Sequence, residues 1–256
     1  METSPDPWIG ALRHSHDRLQ ALVELLDLAS LEQRSYASEW SIAQVLAHLG
    51  SAAEIFGRFL EAGLTGQDPP GRDAFVLVWN TWNAKDPQAQ AADGLRADEA
   101  TVERFESLHP EQRALRLQVF GMDMDLAGLA RMRVSEHAIH TWDVAVALDP
   151  SATVAPDAVD LLIDALGQLT AWAGKPDGKQ RRLQVSTTDP ERHFILETGE
   201  AVSLTESDGE QGLPELRLPA EAFIRLVYGR LDPAHSPPVE ADGVDLDELR
   251  RLFPGL

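Results

Sequence analysis

The sequence contains no cysteine. We therefore expect no disulfide, no metal site built from thiolates and no sulfur nucleophile supplied by the protein itself. Basic residues are scarce, because 22 Lys and Arg stand against 42 Asp and Glu, which gives a formal net charge of −20 at pH 7. Binding to nucleic acid or to an anionic membrane requires a basic face, so this charge argues against both kinds of partner.

Long apolar runs are also missing. The longest clean run covers only residues 74–79, whereas a membrane span needs roughly 20 apolar residues. The first residues are acidic and contain proline, without the basic segment and apolar stretch of a secretory signal. With 43% hydrophobic residues, the chain can nevertheless bury an ordinary core. We therefore expect a cytoplasmic protein, monomer or homodimer, with one large domain or two modest ones.

The first half of the chain has mostly helical apolar spacing. Ser41 and Gln44 have the spacing of a capping box just before an apolar stripe, which predicts that a helix begins there. The pattern predicts helices over residues 7–30, 41–62, 73–82, 98–108 and 123–148, and an extended segment over 113–120. Four substantial helices joined by loops indicate a helical bundle.

After Asp149 and Pro150 the pattern changes to short alternating runs separated by Gly, Pro and Asp. It predicts strands over residues 183–187, 193–197, 202–205 and 215–218, and helices over 156–172, 219–228 and 246–253. Helices first and strands later predict an α+β fold. We expect a helical bundle over residues 1–150 and a small α/β domain over 151–256, with a short, mainly antiparallel sheet.

Three residues of the helical half are candidate metal ligands. Glu136 and His140 lie four residues apart on one predicted helix, so their side chains project from the same face. His48 lies on the apolar stripe of another helix. Two imidazoles and one carboxylate suit Zn²⁺ or another divalent metal, with a fourth position left open as in a catalytic site. The same residues also fit a surface pair of Glu136 with Arg133 and a buried, hydrogen-bonded histidine in the bundle.

The other polar and aromatic residues of this half are expected outside the site. His137 lies about 100° around the helix from the candidate carboxylate ligand. Asp143 is expected to be a solvated surface acid, the alternative being that it orients a ligand. His14 and His16 are expected to be surface histidines. The six tryptophans are expected to serve in core and interdomain packing.

Two motifs surround the candidate ligands. A Trp-Ser helix start at residues 40–41 leads to Ala-His-Leu at 47–49, and Arg-x-x-Glu-x-x-x-His-x-Trp-Asp covers residues 133–143. Both resemble the N-terminal domain of the mycothiol-dependent maleylpyruvate isomerase family, which belongs to the DinB-like four-helix group. Residues 218–233 and the LFPG at 252–255 resemble the family's second, α/β domain. The resemblance covers nearly the whole chain.

The resemblance implies the roles of several residues. The zinc ligands of the family correspond to His48, Glu136 and His140. The family also places an arginine of the C-terminal domain near the substrate, and Arg230 matches it best as a catalytic residue, although a cation that stabilises a helix C-terminus would look the same. Arg225 is the second match, expected to contact the cofactor. The implied cofactor is mycothiol, the actinobacterial sugar thiol.

These residues and this resemblance predict a zinc enzyme that uses an external thiol. A metal-bound thiolate would attack an electrophilic small molecule, so the enzyme would be a thiol S-transferase or a cis–trans isomerase. A dicarboxylate substrate would approach against the net charge and would need a local arginine to hold it. Two alternatives stay open: a zinc hydrolase that uses a metal-bound water, and a non-enzymatic protein that binds a metal or another ligand.

Overall fold

The computed structural model describes residues 4–37 and 39–255. The chain divides into two units, with the boundary between Thr153 and Val154. In the described part of the chain, no helix combines the length and the apolar character that a bilayer span requires. The first unit is mostly helical and the second holds a sheet with helices, so the α+β prediction is confirmed.

The first unit is a helical bundle with one small hairpin. Its helices are α1 (Asp6–Val23), α2 (Leu28–Leu31), α3 (Ile42–Thr65), α4 (Arg72–Asn83), α5 (Pro87–Glu106), α6 (Pro110–Arg113) and α7 (Leu126–Leu148), and its strands are β1 (Arg116–Val119) and β2 (Met122–Asp125). The four long helices form the bundle, in which α3 packs against α5 and α1 packs against α7. Part of its core is an apolar cluster that includes Leu19, Ile42, Leu46, Leu49 and Val144.

Local signals set the start of the two helices that carry the candidate ligands. The capping box predicted at Ser41 is present: Ser41 Oγ accepts from the Gln44 amide, and Gln44 Oε1 accepts from the Ser41 amide. The prediction that the last bundle helix begins at residue 123 is wrong. Residues 122–125 pair with β1 instead, and the helix begins after Asp125, whose carboxylate caps the amide of Gly128 at 2.8 Å.

Helices α3 and α5 approach each other closely at two glycines. A Cβ on Gly94 would lie 2.6 Å from the backbone oxygen of Leu46, and a Cβ on Gly50 would lie 2.9 Å from the Cα of Gly94. Only glycine fits such an approach without displacing a neighbour. This contact therefore fixes α5 against the helix that carries His48.

The second unit has a five-stranded sheet in the order β5-β4-β3-β6-β7, in which only the β3–β6 pair is parallel among the described residues. The strands are β3 (Arg181–Thr188), β4 (Arg192–Thr198), β5 (Ser203–Glu206), β6 (Glu215–Pro219) and β7 (Glu240–Asp242), and the helices are α8 (Pro156–Leu162), α9 (Leu166–Ala173), α10 (Ala220–Val227) and α11 (Leu246–Leu252). The mainly antiparallel sheet was predicted, β7 was not, and a 3₁₀ turn at 163–165 divides the single helix predicted over 156–172.

Candidate metal centre

Helices α3 and α7 bring the three predicted ligands together. The Nε2 atom of His48 lies 3.0 Å from Oε2 of Glu136, and Nε2 of His140 lies 3.8 Å from the same oxygen. The two imidazole ring centroids are 4.6 Å apart. The sequence predicted this convergence from the four-residue spacing on α7 and the inward stripe of α3. The alternative of a surface pair between Glu136 and Arg133 is wrong, because the Arg133 side chain is buried and bonds elsewhere.

The spacing of these atoms fits one shared cation. Two ligands of a tetrahedral Zn²⁺ with bonds of about 2.0–2.1 Å lie about 3.3 Å apart. The two nitrogen–oxygen separations in the cluster, 3.0 and 3.8 Å, lie on either side of that value. The donor set of two imidazoles and one carboxylate is one that Zn²⁺ accepts in three-ligand sites, which leave a fourth position for a small molecule.

The ionisation of the cluster also suits a metal. Burial favours the neutral acid, but the hydrogen bond from His48 and the nearby positive charges outweigh it and lower the pKa of Glu136 to about 2. Burial lowers the pKa of His48, and the hydrogen bond with Glu136 does not offset it. Near neutral pH the cluster therefore holds a carboxylate and a neutral imidazole. The carboxylate is already in the form that binds a metal, and the proton that His48 donates to Glu136 is the one that a metal would displace.

Two neighbours of the cluster differ from expectation. Asp143 was expected at the surface, but its side chain is fully buried and its Oδ2 lies 2.8 Å from Nδ1 of His140. Trp40 was assigned to packing, but it is 37% exposed, and its ring centroid lies 5.1 Å from the ring of His48 and 6.1 Å from that of His140. The three-residue spacing between His140 and Asp143 was a usable signal, since such residues lie on one helix face.

A second polar cluster joins α1, α5 and α7 in the core of the bundle. Oδ2 of Asp98 lies 2.7 Å from Nδ1 of His16 and 2.6 Å from Nε2 of His137. Oδ1 of the same carboxylate accepts from Arg133 at 2.6 Å. His16, expected at the surface, is wholly buried, whereas His14 is exposed as predicted. The prediction that His137 lies outside the three-ligand cluster is also correct.

The distances distinguish this cluster from a metal centre. Its separations of 2.6–2.7 Å are both shorter than the 3.0 Å hydrogen bond between His48 and Glu136, and neither approaches the 3.8 Å between His140 and Glu136. The carboxylate is already balanced by the guanidinium of Arg133. We therefore interpret Asp98 as the acceptor of a hydrogen-bonded network, not as a metal ligand.

The charges of this network follow from burial and from facing groups. Burial would raise the pKa of Asp98, but the positive charge of Arg133 and the hydrogen bonds from both histidines hold it well below its usual range. Burial lowers the pKa of His137, so its ring is neutral, with Nε2–H donating to Asp98 and Nδ1 accepting from Ser15 at 2.8 Å. Burial also opposes charge on His16, but Asp98 and Glu99 face its two nitrogens and raise its pKa.

The two predicted arginines lie at the end of α10 in the second unit. The guanidinium of Arg225 is buried, bonds to both carboxylate oxygens of Glu221 and donates to the backbone oxygens of Arg230 and His235. Arg230 follows Gly229, whose φ of +70° ends the helix, and its side chain is partly exposed and donates to a backbone oxygen at 2.9 Å. The contact of Arg225 with the cofactor and the catalytic role of Arg230 stay predictions.

Comparison with known proteins gives one family match. The model of the mycothiol maleylpyruvate isomerase N-terminal domain matches residues 12–145, a range that contains all three candidate ligands. Among curated proteins, none matches the sequence significantly.

Two solved structures share the fold of nearly the whole chain. The crystal structure of mycothiol-dependent maleylpyruvate isomerase aligns with a TM-score of 0.69 at 14% identity, covering 96% of this chain and 97% of that one. A histidine-to-alanine variant of that isomerase aligns with a TM-score of 0.70 at the same identity and coverage. YfiT from Bacillus subtilis, a four-helix bundle, covers 56% of this chain and 85% of its own at 19% identity, but its TM-score of 0.43 supports no conclusion.

Proposed function

The chain belongs to the family of the mycothiol maleylpyruvate isomerase N-terminal domain, and from that membership we propose that it is a Zn²⁺-dependent enzyme that uses mycothiol to act on an electrophilic small molecule. The observation that carries this proposal is the convergence of His48, Glu136 and His140 on one point within the matched residues. The chain has no cysteine, so the thiol must come from outside the protein.

Each of the three residues would contribute one ligand atom to the metal. His48 and His140 would each supply a ring nitrogen, and Glu136 would supply the one negative charge. When bound, the metal lowers the pKa of a thiol at its open position and so provides a thiolate at neutral pH. The ring of Trp40 lies against both imidazoles.

The proposed reaction begins when the thiol loses its proton and its sulfur forms a bond to an electron-poor carbon of the substrate. In an isomerase, the double bond becomes single, rotates, and re-forms as the carbon–sulfur bond breaks, so the thiol is returned unchanged. In an S-transferase, the carbon–sulfur bond remains and the carbon skeleton takes up a proton or loses its leaving group. Both activities need the same three ligands.

We assign the recognition of a carboxylate on the substrate to Arg230. The protein carries a net charge of −20, so an anionic substrate gains no help from the long-range field and needs a local cation. We expect Arg230→Gln to raise KM for a carboxylate substrate at least tenfold while the metal content stays unchanged. Equal KM values for the variant and the wild type would remove Arg230 from the site.

The proposal is tested by metal analysis and thermal unfolding. We expect about one Zn²⁺ per chain in the wild type and in His14→Ala, an exposed-histidine control, but not in His48→Ala. Mycothiol at about 100 times its Kd should stabilise the zinc-loaded protein by about 2.7 kcal/mol, and this stabilisation should vanish in His48→Ala. A wild-type protein that neither carries nor acquires a divalent metal would contradict the proposal. Turnover without added thiol would favour the hydrolase instead.

A further inference from the structure

We propose that Asp143 is the positioning residue of the metal centre, which fixes His140 so that its Nε2 carries the lone pair facing Glu136. This inference rests on the proposed function, because it assigns a role toward the same metal. Asp143 does not touch the ligand position itself. It acts through the far nitrogen of His140.

The contacts of His140 determine which of its two ring nitrogens carries the proton. Its Nδ1 lies 2.8 Å from Oδ2 of Asp143, and its Nε2 faces Oε2 of Glu136 at 3.8 Å. A carboxylate only accepts hydrogen bonds, so Nδ1 must hold the proton in this pair. In the neutral ring, Nε2 is then unprotonated and free to bind a cation.

Without a hydrogen-bond acceptor at Nδ1, the His140 ring would favour the tautomer that cannot bind a metal through Nε2. Free histidine favours the form with the proton on Nε2, and this proton would occupy the position that the metal needs. The hydrogen bond of Asp143 reverses that preference before any metal arrives. Its negative charge also strengthens Nε2 as a donor, and partners of this kind typically contribute 10-fold to 100-fold to metal affinity.

The backbone around Asp143 is held in place by contacts outside the helix. The amide of Tyr36 donates to the backbone oxygen of Asp143 at 3.1 Å, and the Tyr36 ring packs 4.7 Å from the ring of Trp142. The Trp142 indole donates to the backbone oxygen of Ala152 at 2.9 Å. Since the carboxylate is fully buried, it cannot turn to solvent without breaking this packing.

Two substitutions separate the effect of the hydrogen bond from that of the charge. Asp143→Asn keeps an oxygen that can accept from Nδ1, so we expect the tautomer to persist and Zn²⁺ affinity to fall by less than tenfold. Asp143→Ala removes both the hydrogen-bond acceptor and the negative charge, so we expect Zn²⁺ affinity to fall by 10-fold to 100-fold. Asp149→Asn makes the same charge change at an exposed residue just beyond α7 and should leave affinity unchanged.

The measurements are Zn²⁺ dissociation constants from competition with a chromophoric chelator, and the ¹⁵N shifts of the His140 ring in the metal-free protein. A His140→Gln variant assigns these resonances. We expect wild type and Asp143→Asn to show the Nδ1–H form and Asp143→Ala to show the Nε2–H form.

The outcomes separate this inference from the function on which it rests. A wild-type His140 protonated on Nε2 would overturn the role of Asp143, and this result does not depend on whether the Asp143 variants fold. Zn²⁺ affinities within twofold of wild type in both variants would overturn it as well. A wild-type protein that binds no Zn²⁺ would instead refute the proposed function, and the role of Asp143 would fall with it.

Discussion

Replacing Asp98 by asparagine tests how the bundle is held together. Asp98 is buried and its carboxylate accepts from His16, His137 and Arg133. Asparagine has nearly the same shape, but it carries no charge and turns an amide N–H₂ toward groups that are themselves donors. The buried guanidinium of Arg133 would then keep only neutral acceptors, namely the amide oxygen of the new side chain and the backbone oxygen of Leu49, which lies 3.0 Å away.

The expected loss is large because a buried charge remains without its partner. Removing one member of a buried ion pair typically costs about 3–5 kcal/mol, against a total stability of about 5–15 kcal/mol for a folded protein. At roughly 2–4 °C per kcal/mol for a unit of about 150 residues or more, the midpoint should fall by roughly 6–20 °C. Among the described residues, two further buried nitrogens of Arg133, Nε and Nη1, have no hydrogen-bond partner, so none of those residues offers the guanidinium an acceptor in place of Asp98.

The assays are urea unfolding for the free energy and thermal unfolding for the midpoint temperature, both followed by tryptophan fluorescence. Five of the six tryptophans lie in the first 150 residues, so the signal reports mainly on the first unit even if the two units unfold separately. Asp93→Asn is the matched control: Asp93 lies on the same helix but forms its ion pairs with Lys85 and Arg96 near the surface, where a pair contributes about 0–1 kcal/mol.

A double variant separates the lost charge from other effects of the substitution. Asp98→Asn combined with Arg133→Met removes both charges, so we expect it to regain about half of the loss. The reasoning would be refuted if Asp98→Asn lost no more stability than Asp93→Asn, or if the double variant were less stable than Asp98→Asn alone.

The remaining predictions concern pH and close packing. Burial opposes the charged form of His16, but two facing carboxylates raise its pKa, so its stabilising contribution is complete below its ordinary pKa and is lost as pH rises through the raised one. His16→Gln should therefore cost more stability at pH 5.5 than at pH 8.5 in urea unfolding, and an equal cost at both would contradict the assignment. Gly94→Ala should destabilise by about 1–3 kcal/mol, because its Cβ would lie 2.6 Å from a backbone oxygen of α3. Gly57→Ala, with open space around it, should stabilise by about 0.5–1 kcal/mol, and thermal unfolding of both variants checks the opposite signs.

The features that could be predicted from the sequence are those set by residues near one another in the chain. Ser41 and Gln44 form the predicted capping box, since both partners lie within one helical turn. Glu136 and His140 share a face of α7 for the same reason. The start of α7 was predicted wrongly because residues 122–125 satisfy their backbone bonds with β1, and helical spacing in the sequence does not reveal that pairing.

Features that depend on residues far apart in the chain could not be predicted from the sequence. His16 and Asp98 are 82 residues apart, and nothing in the spacing of either indicates that they meet. A single histidine among polar neighbours therefore looked exposed, although α1 turns it into the bundle. The burial of Asp143 depends likewise on the packing of the segment around Tyr36, which lies more than a hundred residues earlier.

The two clusters are connected through the rotation of one helix. Arg133 and His137 lie four residues apart on α7 and face Asp98, while Glu136 and His140 have the same spacing, three residues further on, and face His48. Because a residue on a helix is displaced about 100° from the next, α7 cannot turn to improve one set of contacts without disturbing the other. The buried hydrogen bonds of Asp98 thus set the angle at which α7 presents the candidate metal ligands. This gives a physical reason to bury a charged network beside the candidate metal ligands, although apolar residues in such a place are often as stabilising or more so.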